Sequence, residues 1–147
     1  MAEKVIKISL LALLTVCLLY FGESRADCNE NTKVTSQKLS SQAFSGILDG
    51  REKIELIGGV SHLDFNYCIY FYAREFGNRR LAKRLVILDG NDGRYVGMFD
   101  VNDKPKGIVG NSIIFDYHDD LGNKIVVGPS GFPKNTYLDG EPKELFK

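Results

Sequence analysis

The sequence predicts an all-β domain, a single small antiparallel barrel or sandwich of about eight strands tied by one disulfide. Three observations carry this. The stretch from His62 to Glu75 alternates over twelve residues between two side-chain faces. Apolar segments recur along the chain, with Gly, Asn, Asp and Pro clusters between nearly all of them. Beyond the leader described next, the cysteines form one pair.

Residues 1–26 have the pattern of a signal peptide. Lys4 and Lys7 form a basic start, Ile8 to Phe21 is almost wholly apolar, and Ser24-Arg25-Ala26 offers a cleavage site of the small-x-small kind. The apolar run is shorter than the ~20 residues a membrane-spanning helix needs. The expected mature form is therefore residues 27–147, secreted or periplasmic, without a transmembrane anchor. The leader holds three of the 19 basic and two of the 19 acidic residues, so the remainder has a net charge near −1. A chain this close to neutral has no global field toward nucleic acid or an anionic membrane. Cys17 leaves with the leader, and Cys28 and Cys68 remain as a pair for which a disulfide is the default in an oxidising compartment.

Residues 27–42 read as a polar arm, followed by a strand near Ala43–Leu48 and an Asp49-Gly50 hairpin turn. Lys53–Ile57 forms the next strand, with Gly58-Gly59 breaking it. The central stretch then places Leu63, Phe65, Tyr67, Ile69, Phe71 and Ala73 on an apolar face, and Asp64, Asn66, Cys68, Tyr70, Tyr72 and Arg74 on a more polar one. At ~3.3 Å per residue it would span about 45 Å, so it must bend or bulge. A bridge from Cys68 to Cys28 should pin the arm across the polar face and half-cover Tyr70 and Tyr72.

Leu85-Val86-Ile87-Leu88 lacks polar alternation and reads as a central strand covered on both faces. Asp89–Gly93 turns the chain. Arg94–Val101 follows, with Tyr95, Phe99 and Val101 inward and Gly97 leaving a gap for an aromatic side chain. Asn102–Pro105 is a turn, and Ile113, Phe115 and Tyr117 mark a strand. His118–Gly122 turns again, and Ile125–Val127 forms the next strand. After the loop Gly128–Pro133, Asn135–Leu138 and Pro142–Phe146 pair across Asp139-Gly140, the second on an edge because of Pro142. The run of sequential hairpins favours an up-and-down order, which places a barrel ahead of a sandwich.

Two features suggest a binding surface. Arg79, Arg80, Lys83 and Arg84 put four cations in six residues at a hairpin tip, a grip for an acidic glycan, a lipid headgroup or a partner's acidic cleft. Tyr70, Tyr72 and Phe132, the last in a proline-bounded loop, supply aromatic contact area. Together they suggest an exported, non-enzymatic protein that recognises a protein or acidic glycan, of the inhibitor or immunity type. Two alternatives remain: a carrier of a small apolar ligand in a barrel cavity, and a hydrolase using His118 with Asp119 and Asp120. No catalytic set, metal-ligand spacing, cofactor fingerprint or phosphate loop is predicted.

Overall fold

The computed structural model describes Cys28, Leu39 and residues 51–77, 80–116 and 123–147. Residues 1–26, most of the arm and the strand expected at Ala43–Leu48 lie outside the described residues. The described chain is all-β, with antiparallel sheets and a disulfide between Cys28 and Cys68, whose Cα atoms are 5.4 Å apart.

Four strands run as a meander: β1 Glu52–His62, β2 Phe65–Glu75, β3 Leu81–Asp89 and β4 Tyr95–Asp100. The expected break at Gly58-Gly59 does not occur. β1 passes straight through it and absorbs the irregularity as a bulge between Leu56 and Gly58. The turn falls instead at Leu63-Asp64, so the central strand begins at Phe65. Leu63 is not on the apolar face as expected; it occupies the turn at φ 53°, 71% exposed. Leu85 to Leu88 are all buried in β3, as expected for a strand flanked on both sides and covered on both faces.

Beyond β4 come the short strands β5 Gly107–Val109, β6 Ser112–Ile114 and β7 Lys124–Val126, which form a second sheet. The hairpin of β8 Asn135–Leu138 and β9 Glu141–Glu144 forms a third. Its turn at Asp139-Gly140 and the place of Pro142 agree with the sequence reading, both turn residues having positive φ. β5 has no counterpart among the strands expected from periodicity.

The smaller sheets cover one face of the large one, and the main core lies between them. It is built from Val60, Ile69, Phe71, Leu85, Ile87 and Phe99 of the large sheet and Ile113, Ile125 and Leu138 of the others. Among the described residues the strands do not close into a barrel. β5 packs beside β1, β8 beside β7 and β9 beside β4, but these junctions are not continuous ladders. The joint at β4 is a single bridge, with Met98 and Phe146 each donating an amide to the other's carbonyl at 2.9 Å. Strands of three or four residues are too short to carry closure.

The opposite face of the large sheet is a second core, not the more polar surface expected. Leu39, Ile54, Cys68, Tyr70, Tyr72, Val86, Leu88 and Met98 form it. The bridge therefore enters a buried layer. A second bulge, between Ile87 and Leu88, shifts β4 by one residue, so Tyr95 packs with this layer while Phe99 and Val101 face the main core.

The gap at Gly97 is filled by residues 145–146, not by an aromatic side chain. A Cβ there would stand 2.8 Å from both Leu145 Cδ1 and the Phe146 carbonyl oxygen. Because one obstacle is backbone, Gly97→Ala is expected to lower stability by about 1–3 kcal/mol through overpacking. Urea denaturation measures this, and an unchanged midpoint would show that residues 145–146 yield freely.

Candidate functional site

Strand alternation divides two of the four predicted cations, Lys83 and Arg84. Lys83 stands opposite Ala73 and Arg84 opposite Tyr72, so these sequence neighbours point to opposite faces. Each has local acceptors. Lys83 Nζ donates to the Asn102 carbonyl at 2.5 Å and to Asp103 Oδ1 at 3.2 Å, while Arg84 Nε lies 3.1 Å from Asp100 Oδ1. Arg80 is exposed at the hairpin end, and Arg79 lies outside the described residues.

The predicted aromatic residues belong mainly to the cores. Tyr70 and Tyr72 are each only 3% exposed in the second layer. Burial raises the Tyr72 phenol pKa, and a hydrogen bond with Arg74 partly opposes that rise. Phe132 packs edge-on against Tyr67, with ring centroids 4.9 Å apart, and tilts against Phe99 at 6.3 Å. It is a plug between the loop and the main core. Gly131 makes this possible: at φ 88°, its α-carbon lies so close to the Tyr67 hydroxyl that a Cβ would come within 2.6 Å. Tyr137 is the exposed tyrosine of the described set, on the outward face of β8.

The hairpin joining β2 to β3 carries a site that the basic residues only partly indicated. Glu75 pairs with Leu81 as the last rung, and the Phe76 amide donates to the Arg80 carbonyl at 2.8 Å. Phe76 is 42% exposed and Leu81 53%. Together with Gly77, Arg80 and Ala82 they line an open pocket. Beneath it Arg74 is buried, with its Nε 3.8 Å from Glu52 Oε1 and its guanidinium carbon 5.1 Å from the Phe76 ring centroid. A cation over an aromatic face is attracted by the ring quadrupole, so the buried pair holds the Phe76 ring in place from behind. The available signal was the break in alternation: Phe76 follows Glu75 immediately before Gly77-Asn78, a large apolar residue where a turn residue is usual.

The other candidate chemistry is dispersed. His118, Asp119 and Asp120 lie outside the described residues. His62 ends β1, and Ser130 is exposed in the proline-bounded loop. Asp89 and Asp92 accept the backbone amides of Asn91 and Arg94, each at 2.8 Å, which is turn chemistry. Among the described residues there is no group of three or more His, Cys, Asp or Glu side chains placed to hold a metal ion. Nor is any helix among them long and apolar enough to cross a membrane. No protein family, curated protein or solved structure matches this chain.

Proposed function

We propose that this is an exported, non-enzymatic binding protein that recognises a partner surface through the β2–β3 hairpin end. The observation that carries the reading is the exposed pair Phe76 and Leu81, which line one open pocket with Arg80 at the hairpin end. Two exposed apolar side chains at one hairpin end, next to a guanidinium, form the centre of a contact rather than a solubilising tip. Export rests on the leader pattern and agrees with a disulfide, which persists in oxidising compartments. An inhibitor or immunity protein would use such a hairpin in this way.

A photo-crosslinking residue tests the reading whatever the identity of the partner. Benzoylphenylalanine placed at Leu81, in protein exported by its own cell, should yield a discrete adduct on irradiation. The same residue at Val109, similarly exposed on the second sheet, should not. Identical adduct patterns from the two positions would overturn the assignment of the hairpin end as the docking element.

A further inference from the structure

We infer that Met98 is an oxidant-reactive site, where a hydroperoxide converts the thioether to a sulfoxide that the Arg84 guanidinium holds in place. Strand register brings the two side chains together. Arg84 stands opposite Asp100 and Val86 opposite Met98, so Arg84 and Met98 are diagonal neighbours across β3 and β4, on the face of the second layer. Arg84 Nη1 donates to Met98 Sδ at 3.3 Å, while Nε of the same guanidinium lies 3.1 Å from Asp100 Oδ1. Met98 is 7% exposed, and two of its neighbours are more open: Arg84, partly exposed, and Phe146, exposed at the bridge to Met98.

Few other side chains compete for an oxidant. The sequence has no tryptophan and two methionines, of which Met1 lies in the leader. Cys28 and Cys68 are joined, so the described residues hold no free thiol. Met98 is the readiest two-electron donor among them. A lone pair on Sδ attacks the terminal oxygen of the hydroperoxide, the O–O bond breaks and an S–O bond forms. The sulfur gives up two electrons. The hydroxyl proton passes to the departing oxygen, which leaves as an alcohol or, from hydrogen peroxide, as water. The sulfoxide is polar, and buried without a donor it would carry a desolvation cost. Here Nη1 already donates to the sulfur, so its hydrogen bond moves from the sulfur to the new oxygen. Asp100, on another nitrogen, keeps the guanidinium at that position. The unbranched methionine side chain turns readily enough to bring the oxygen toward it.

Hydrogen peroxide in excess tests this on the folded chain. Peptide mapping should place one added oxygen on Met98, and Met98→Leu should take up none at that position. Urea titration then compares the oxidised and unoxidised forms of the parent and of Arg84→Leu. Oxidation should lower the folding constant of Arg84→Leu by about tenfold more than that of the parent, since hydrogen bonds to charged groups are the stronger ones. A purely structural role for Arg84 would weaken both forms equally, so the difference isolates its hold on the sulfoxide. Should Arg84→Leu not fold, Arg84→Lys takes its place. An ammonium lacks the planar fork that reaches Asp100 and Met98 together, and an extra loss of about threefold is then expected. If Met98 stays unoxidised until urea unfolds the chain, the inference is overturned. So it is if the sulfoxide unfolds the parent, or costs the parent and the Arg84 variant the same factor.

Discussion

Removing the bridge with the paired change Cys28→Ser and Cys68→Ala is expected to cost up to about 4 kcal/mol, the chain-entropy value for closing a loop of this length. The two cysteines are 40 positions apart. The loss is comparable with the whole stability of a domain of this size, ~5–15 kcal/mol. The second core explains why the effect should extend beyond the tether. Leu39 is fully buried against the layer that contains Tyr70, Tyr72, Val86 and Met98, and the bridge holds the chain near Cys28 to that layer. Without it, the layer should open to solvent while the main core keeps its packing. Urea denaturation measures the stability loss, and binding of an apolar dye reports the uncovered face. An unchanged midpoint would mean that the contacts around Leu39 hold the layer without help.

The second large effect is expected at Phe132. Truncation to alanine removes the edge-on contact with Tyr67 and the tilted contact with Phe99, and leaves a void next to Gly131. Large-to-small changes of this kind cost about 3–5 kcal/mol when the site is fully buried. Phe132 is partly exposed, so a loss of about 2–3 kcal/mol is expected on that scale. Binding at the hairpin end should be unaffected, because Phe132 meets β2 at Tyr67, nine residues from Phe76 along the chain. If Phe132→Ala leaves the thermal midpoint unmoved and abolishes binding, the loop is a contact surface and the plug assignment is wrong.

The sequence carried some of this plainly. Asp139-Gly140 and Pro142 placed the last hairpin because positive φ and a missing amide are local properties of those residues. The unbroken run Leu85–Leu88 placed a central strand because only a strand covered on both faces lacks polar alternation. What was not legible depends on partners distant in the chain. Gly58-Gly59 looks like a break, but becomes a bulge because β2 continues to pair on either side of it. Tyr70, Tyr72 and Arg74 look like an outward face. Whether a tyrosine is outside depends on what covers it, and here Leu39 belongs to the covering layer. Gly97 signalled a missing side chain correctly, but not that Leu145 and the Phe146 backbone fill the space. For the site, the cations were visible in the sequence, whereas their division between two faces and the exposed end formed by Phe76 and Leu81 required the β2–β3 register.

The buried position of Cys68 has a consequence for chemistry in time rather than for stability. A thiolate cleaves a disulfide by approaching one sulfur from behind the bond, so the attacked sulfur must be reachable. Cys68 is buried within the second layer in the middle of β2, whereas Cys28 is partly open. Small reductants therefore have a restricted approach to the Cys68 sulfur, and attack there waits on local opening of the layer. The same shielding applies in reverse to the reduced chain. Once Leu39 has packed into the layer with Cys68, an oxidant reaches that thiol only as often as the layer opens. Oxidation is thus fastest before this face is covered, which makes the order of bridge formation and packing a property of the fold.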